Sequence, residues 1–252
     1  MDAQVLERTD RAPAARPASR RREHIFYMGM AIAIVATVFV GFAPTYYLRS
    51  FSGRDALMPL LHLHGFVFTS WIVLLMVQTT LVAANRVDLH RRLGIAGAVI
   101  AALMVAVGLL TAVTRAKQGA APPGGPPSLV FLAVPFVDML IFPTLVSAGF
   151  YFRRRPDVHK RLMLLATISI LAAAIARLPL GTLLQAGPPA FFGLTDIFIV
   201  ALIIYDLITR RRIHRATAVG GLLIIVSQPL RLMLAGTAAW MSFATWLTSW
   251  VG

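Results

Sequence analysis

Two six-residue segments repeat one order of residue types: Asp88-Leu89-His90-Arg91-Arg92-Leu93 and Asp157-Val158-His159-Lys160-Arg161-Leu162. Each places an acid, an aliphatic residue, a histidine and two bases just before an apolar run. Arg212-Ile213-His214-Arg215 is a looser third copy that lacks the acid. A helix N-terminus crowded by arginine disfavours imidazolium, so His90, His159 and His214 are biased towards the neutral form that ligates a metal. Histidines on three helices at similar depth would then have the chemistry to meet haem iron or a metal ion, with the arginines facing propionates or phosphate. A plainer reading makes Asp88 and Asp157 helix N-caps and the arginines a topology signal. Convergence of the three histidines is not visible in one sequence.

A second set of polar residues interrupts the apolar runs themselves. His62, His64, Asp138, Arg177, Asp196 and Arg231 all fall towards one side of the bilayer, with Gln228 beside Arg231 and Gln185 and Gln78 as further hydrogen-bonding groups. Ionisable groups at that depth usually pair or line a cavity. The balanced charges predict Asp138 with Arg177 and Asp196 with Arg231, around a hydrated cavity opening outward. Pro135, Pro143, Pro179 and Pro229 predict kinks beside these charges, which free carbonyls that protein or water must satisfy. The alternative is structural ion pairing that locks the helices. His62 and His64 point about 200° apart on a helix and cannot both ligate one haem. His64, followed by Gly65, is the better ligand candidate.

These residues are carried by a chain of 252 residues that is 58% hydrophobic and only 13% charged. A soluble domain would carry about 25% charge. The sequence therefore predicts an all-α polytopic transmembrane bundle. Spans are predicted at about 25–47, 60–82, 93–113, 129–151, 162–184, 191–208 and 217–235. Of the 24 basic residues, 18 lie in the N-terminal tail and the second, fourth and sixth loops. The positive-inside rule then sets the N-terminus inside and the C-terminus outside. The net charge of +14 finds its partner in the lipid bilayer, as anionic lipids at the cytoplasmic face, and not in nucleic acid. Cysteine is absent, which excludes disulfides and thiolate metal sites.

Three regions are expected: a disordered basic tail at 1–24, a seven-span domain at 25–236, and a Trp-rich segment at 237–252. The repeated motif relates three hairpins, made of spans two and three, four and five, and six and seven. Thr114 to Ser128, rich in Pro and Gly, is predicted to be an irregular outer connection. Trp240, Phe243, Trp246, Leu247 and Trp250 recur at helical spacing and predict an amphipathic helix on the outer surface, with docking to a partner as the alternative.

The runs His62-Leu63-His64-Gly65, Leu89-His90-Arg91-Arg92-Leu93-Gly94, His159-Lys160-Arg161-Leu162-Met163 and Ser227-Gln228-Pro229-Leu230-Arg231 resemble a group of uncharacterised bacterial multi-pass membrane proteins. The resemblance covers most of the chain after Pro59 and implies a fold and a bacterial inner-membrane location. His159 to Ala166 is similar to a segment of membrane proteins of haem-copper oxidase assembly, and the histidines at helix ends resemble those of membrane b-type cytochromes.

Three functions follow as expectations. The first is a redox or assembly protein binding haem b, quinone or metal through His64 or the basic-loop histidines. The second is a small-solute or proton-coupled transporter using the Asp138, Arg177, Asp196 and Arg231 cluster. The third is a structural subunit packed against other membrane subunits. No Gly-x-Ser-x-Gly, Walker loop or His-Glu-x-x-His motif occurs, which argues against hydrolase or nucleotide-driven chemistry.

Overall fold

A computed structural model of the chain describes residues 17–53, 55–121, 125–185 and 187–251. Its long helices are α1 (Pro17–Phe42), α2 (Pro59–Ala83), α3 (Val87–Lys117), α4 (Ala133–Tyr151), α5 (Pro156–Ser169), α6 (Pro188–Arg210), α7 (Arg215–Ala235) and α8 (Ala238–Ser249). Seven helical segments are long and apolar enough to cross a membrane. No strand occurs among the described residues. The protein is an all-α polytopic membrane bundle, and its exposed face is apolar: Ile95, Val219 and Leu222 point outwards.

The interior is a close-packed apolar core in which Ile34, Met104, Phe142, Leu165, Ile168, Ile199, Leu202 and Ile224 are fully buried. α5 runs through its middle, with Leu164, Leu165, Ala166 and Ile168 all enclosed. Trp71 of α2 reaches α5, donating from Nε1 to Thr167 Oγ1 at 3.1 Å, and meets Phe142 edge-on. α2 packs on α3 and α4 on α5 as the repeat predicted. α7 departs from it, lying chiefly against α4 and α5 with α6 beside it.

Three local departures from expectation have physical causes. α1 starts at Pro17, inside the predicted tail; residues 1–16 of that tail lie outside the described residues. The added turns are held by Glu23, 2.6 Å from Lys160 Nζ, and just beyond them Phe26 stacks on Tyr205. α3 runs on to Lys117, so the irregular connection is shorter than predicted; Pro122, Pro123 and Gly124 lie outside the described residues. The fifth span breaks at Ile170, well before Pro179, and resumes only as short turns at Ala172–Ile175 and Thr182–Gln185. There Ser169 Oγ takes up the Ala166 carbonyl and Leu171 N bonds back to Ile168 O, tightening the turn and ending the regular ladder.

α8 closes the end opposite the basic loops. Thr237 caps it, and Trp240 is buried on Leu132 and Ala133 with its Nε1 donating to Leu129 O at 2.8 Å. The predicted amphipathic helix thus docks on this chain itself, while Trp246 and Trp250 remain exposed.

Candidate functional site

At the basic end, the first turns of α3 and α5 bring the two copies of the motif together. The His90 and His159 rings lie with centroids 6.2 Å apart and planes at 85°. His159 Nδ1 pairs with Gly149 O at 2.8 Å, which orients the ring and leaves Nε2 outside that bond. His90 Nδ1 is buried without a hydrogen-bond partner, as is Gln78 Oε1. Buried polar atoms are rarely left this way.

His214 does not join them. Its Nδ1 accepts from Ala216 N at 3.1 Å, capping α7, and its Nε2 faces Asp157 Oδ2 at 3.1 Å. The capping bond makes Nδ1 the acceptor and puts the proton on Nε2. Both nitrogens are used, so the expected three-histidine convergence reduces to a pair. Among the described residues no three His, Asp or Glu side chains gather to hold a metal ion. The motif acids are not N-caps either: Arg86 and Arg155 hold those positions without side-chain bonds, and Asp88 and Asp157 sit in the first turns. There their charge still complements the positive helix end.

Beside His214 lies a group that sequence reasoning missed. Asp206 of α6 is fully enclosed and binds Arg161 of α5 through Nε at 3.1 Å and through Nη2. Its Oδ2 also accepts from Thr217 Oγ1 at 2.6 Å and His214 N at 3.1 Å, while Arg161 Nη1 donates to Asp157 O at 2.8 Å. Arg161 therefore does more than set topology. The available signal was an acid within the apolar run Ile203 to Leu207.

Towards the far end, the predicted pairs are replaced by different ones. Arg231 of α7 binds Asp138 of α4, not Asp196. Its remaining donors reach Ser227 O at 3.1 Å and Ser227 Oγ at 2.8 Å, and its guanidinium lies 5.3 Å from the Phe192 ring centre. Gln228 Nε2 donates to Asp196 Oδ1 at 2.7 Å, joining α7 to α6. Helical spacing explains the exchange: Ser227 is one turn before Arg231, so both turn the same way towards α4, whereas Gln228 is rotated towards α6. The groove along this site is apolar, lined by Val137, Ile141, Val219, Leu222 and Val226, with Ser227 and Arg231 at its floor. It is not the hydrated cavity the sequence predicted.

Arg177 stands apart from both carboxylates. Its Nη1 donates to Ala173 O at 2.5 Å, its guanidinium lies 4.9 Å from the Phe42 ring centre, and the residue is otherwise exposed. The His64 ring stacks on Phe68 at 4.1 Å. The space Gly65 leaves is taken by the Tyr46 ring, not by a ligand. His62 is exposed, its carbonyl accepting from Tyr46 Oη at 3.3 Å. The side chain of Gln185 lies outside the described residues. His64, Asp138, Arg177, Asp196 and Arg231 thus divide between two places, and no shared pocket contains all five.

No known protein family, characterised protein or solved structure matches the chain.

Proposed function

We propose that the protein is a redox or assembly protein of a bacterial inner membrane, with its basic end in the cytoplasm, and that it holds haem iron between His90 and His159. One observation carries this reading: the 6.2 Å separation of the two motif histidines. An imidazole nitrogen lies about 1.1 Å from its ring centre and a metal about 2.0–2.1 Å beyond it, so rings separated by up to about 6.4 Å could reach one metal. His90 and His159 would hold the iron through one imidazole nitrogen each, and bound haem would supply one-electron redox chemistry there. A bare structural zinc ion would need about four protein ligands, and among the described residues no three gather.

The surrounding groups support the same chemistry. The bond from His159 Nδ1–H to the Gly149 carbonyl fixes the tautomer with Nε2 available, as outer-shell partners of ligating histidines do. Arg91 and the exposed Arg153, Arg154 and Arg155 supply positive charge near this end for haem propionates. An absorption spectrum of the detergent-purified protein from haem-replete cells tests the reading. A Soret band that is lost in His90→Ala and in His159→Ala, and kept in His214→Ala, is expected. A colourless preparation, or a band indifferent to His90 and His159, would refute it.

A further inference from the structure

Two irregular pieces of backbone meet the start of α2 at the far end of the bundle. α1 runs into a π-helical turn, Ala43–Tyr47, that contains Pro44. α2 begins beside it with His62 and His64, and the fifth span is broken opposite. They are in contact: Gly41 is pressed against the Ala174 carbonyl, and Tyr47 Oη pairs with Thr69 Oγ1 at 2.9 Å. π-turns recur at functional sites, and broken helices persist at membrane depth where they line one.

Two kinds of unmet valence accompany this geometry. The other two arginines within the helices' polar networks, Arg161 and Arg231, each have an aspartate, whereas no described carboxylate is within ion-pair distance of Arg177. Its described contacts are a carbonyl and an aromatic ring. His64 Nδ1 and Thr45 Oγ1 are buried without hydrogen-bond partners, two of six such atoms among the described residues. Arg177, itself exposed, packs on Phe42 three residues before Thr45, and Tyr46 packs against Gly65 next to His64, so the three groups share one end of the bundle. An unpaired cation near unsatisfied hydrogen-bonding atoms is what an anionic ligand would complete.

We propose that Arg177 and His64 form an anion site for a phosphate group, with the guanidinium supplying charge and the imidazole Nδ1 a hydrogen bond. The planar fork of Arg matches a phosphate oxygen pair, and at the end of a membrane span phosphate is at hand as a lipid headgroup or as a free anion. The site is distinct from the His90 and His159 pair and does not depend on haem.

Thermal unfolding of delipidated protein in detergent, with phosphatidylglycerol, phosphatidylcholine or inorganic phosphate added separately, tests this. Phosphatidylglycerol is expected to raise the Tm more than phosphatidylcholine if the source is a lipid headgroup, and inorganic phosphate alone to do so if the source is soluble. Arg177→Gln and His64→Phe are each expected to raise the half-saturating concentration, the former about tenfold. Absence of any shift with all three additives overturns the proposal. So does a full wild-type response in either variant, and one folded variant is enough to decide.

Discussion

Arg161 and Asp206 enclose each other at the basic end of the bundle, with side chains 1% and 0% exposed. The pair joins α5 to α6, and through Thr217 and the His214 backbone it also holds the start of α7. Removing one partner of such a pair leaves the other charge buried and uncompensated, at about 3–5 kcal/mol. Asp206→Ala is therefore expected to lower stability by about that amount, measured as a falling Tm in detergent. Arg161→Met with Asp206→Leu should recover much of the loss, and damage in the double variant equal to the sum of the two singles would show that the pair is not coupled.

The Asp138 and Arg231 pair gives a similar expectation with a different readout. Here Ser227 and Val134 keep part of the Arg231 hydrogen bonding when the carboxylate is gone. Asp138→Asn should cost less than Asp206→Ala, about 1–3 kcal/mol, because an amide oxygen still accepts from the guanidinium. A double-mutant cycle with Arg231→Gln checks this, and a coupling energy near zero would contradict the geometry.

Close backbone approach at Gly41 predicts a steric effect. A Cβ there would overlap the Ala174 carbonyl, which is backbone and cannot swing aside. Gly41→Val should push α1 from the broken fifth span at about 1–3 kcal/mol, whereas Gly94→Val, where a Cβ meets nothing, should be nearly silent. Comparing the two by thermal unfolding tests the packing of α1.

His214 predicts a pH dependence. Burial pushes its imidazole below the ordinary value of 6.5, and Arg161 and Arg210 add to the effect against the pull of Asp157. The unfolded chain therefore binds a proton more readily than the folded one as pH falls through 6.5. By linkage, this group's contribution to stability is present above that pH and lost below it. His214→Asn keeps an oxygen for the Ala216 amide and removes the titration. It should flatten the fall in Tm below 6.5, and an unchanged slope would assign the titration elsewhere.

What the sequence made legible were features that one helix carries by itself. Seven apolar lengths, the repeated motif and the Trp spacing of α8 each follow from local periodicity and composition. Partners did not, because Asp138 meets a residue 93 positions away and Arg161 one 45 positions away. Charge balance alone permits several pairings, and the choice depends on which faces α4 and α7 turn to each other. The break at Ile170 escaped notice since proline marked a later position, while Ser169 acted through its hydroxyl. Repeat symmetry predicted three related hairpins, and the missing acid of the third copy leaves His214 to lean on Asp157 of the second.

α5 is ringed by protein, and its span has a mean hydropathy of 1.6, the lowest of the seven. A helix so weakly oily, with Arg161 in its interior-facing stripe, has no comfortable place in lipid by itself. Its counter-charge arrives on α6, so during synthesis the fifth crossing stays electrostatically incomplete until the sixth has emerged. The centre of this bundle is thus settled late, by a segment that follows it in the chain.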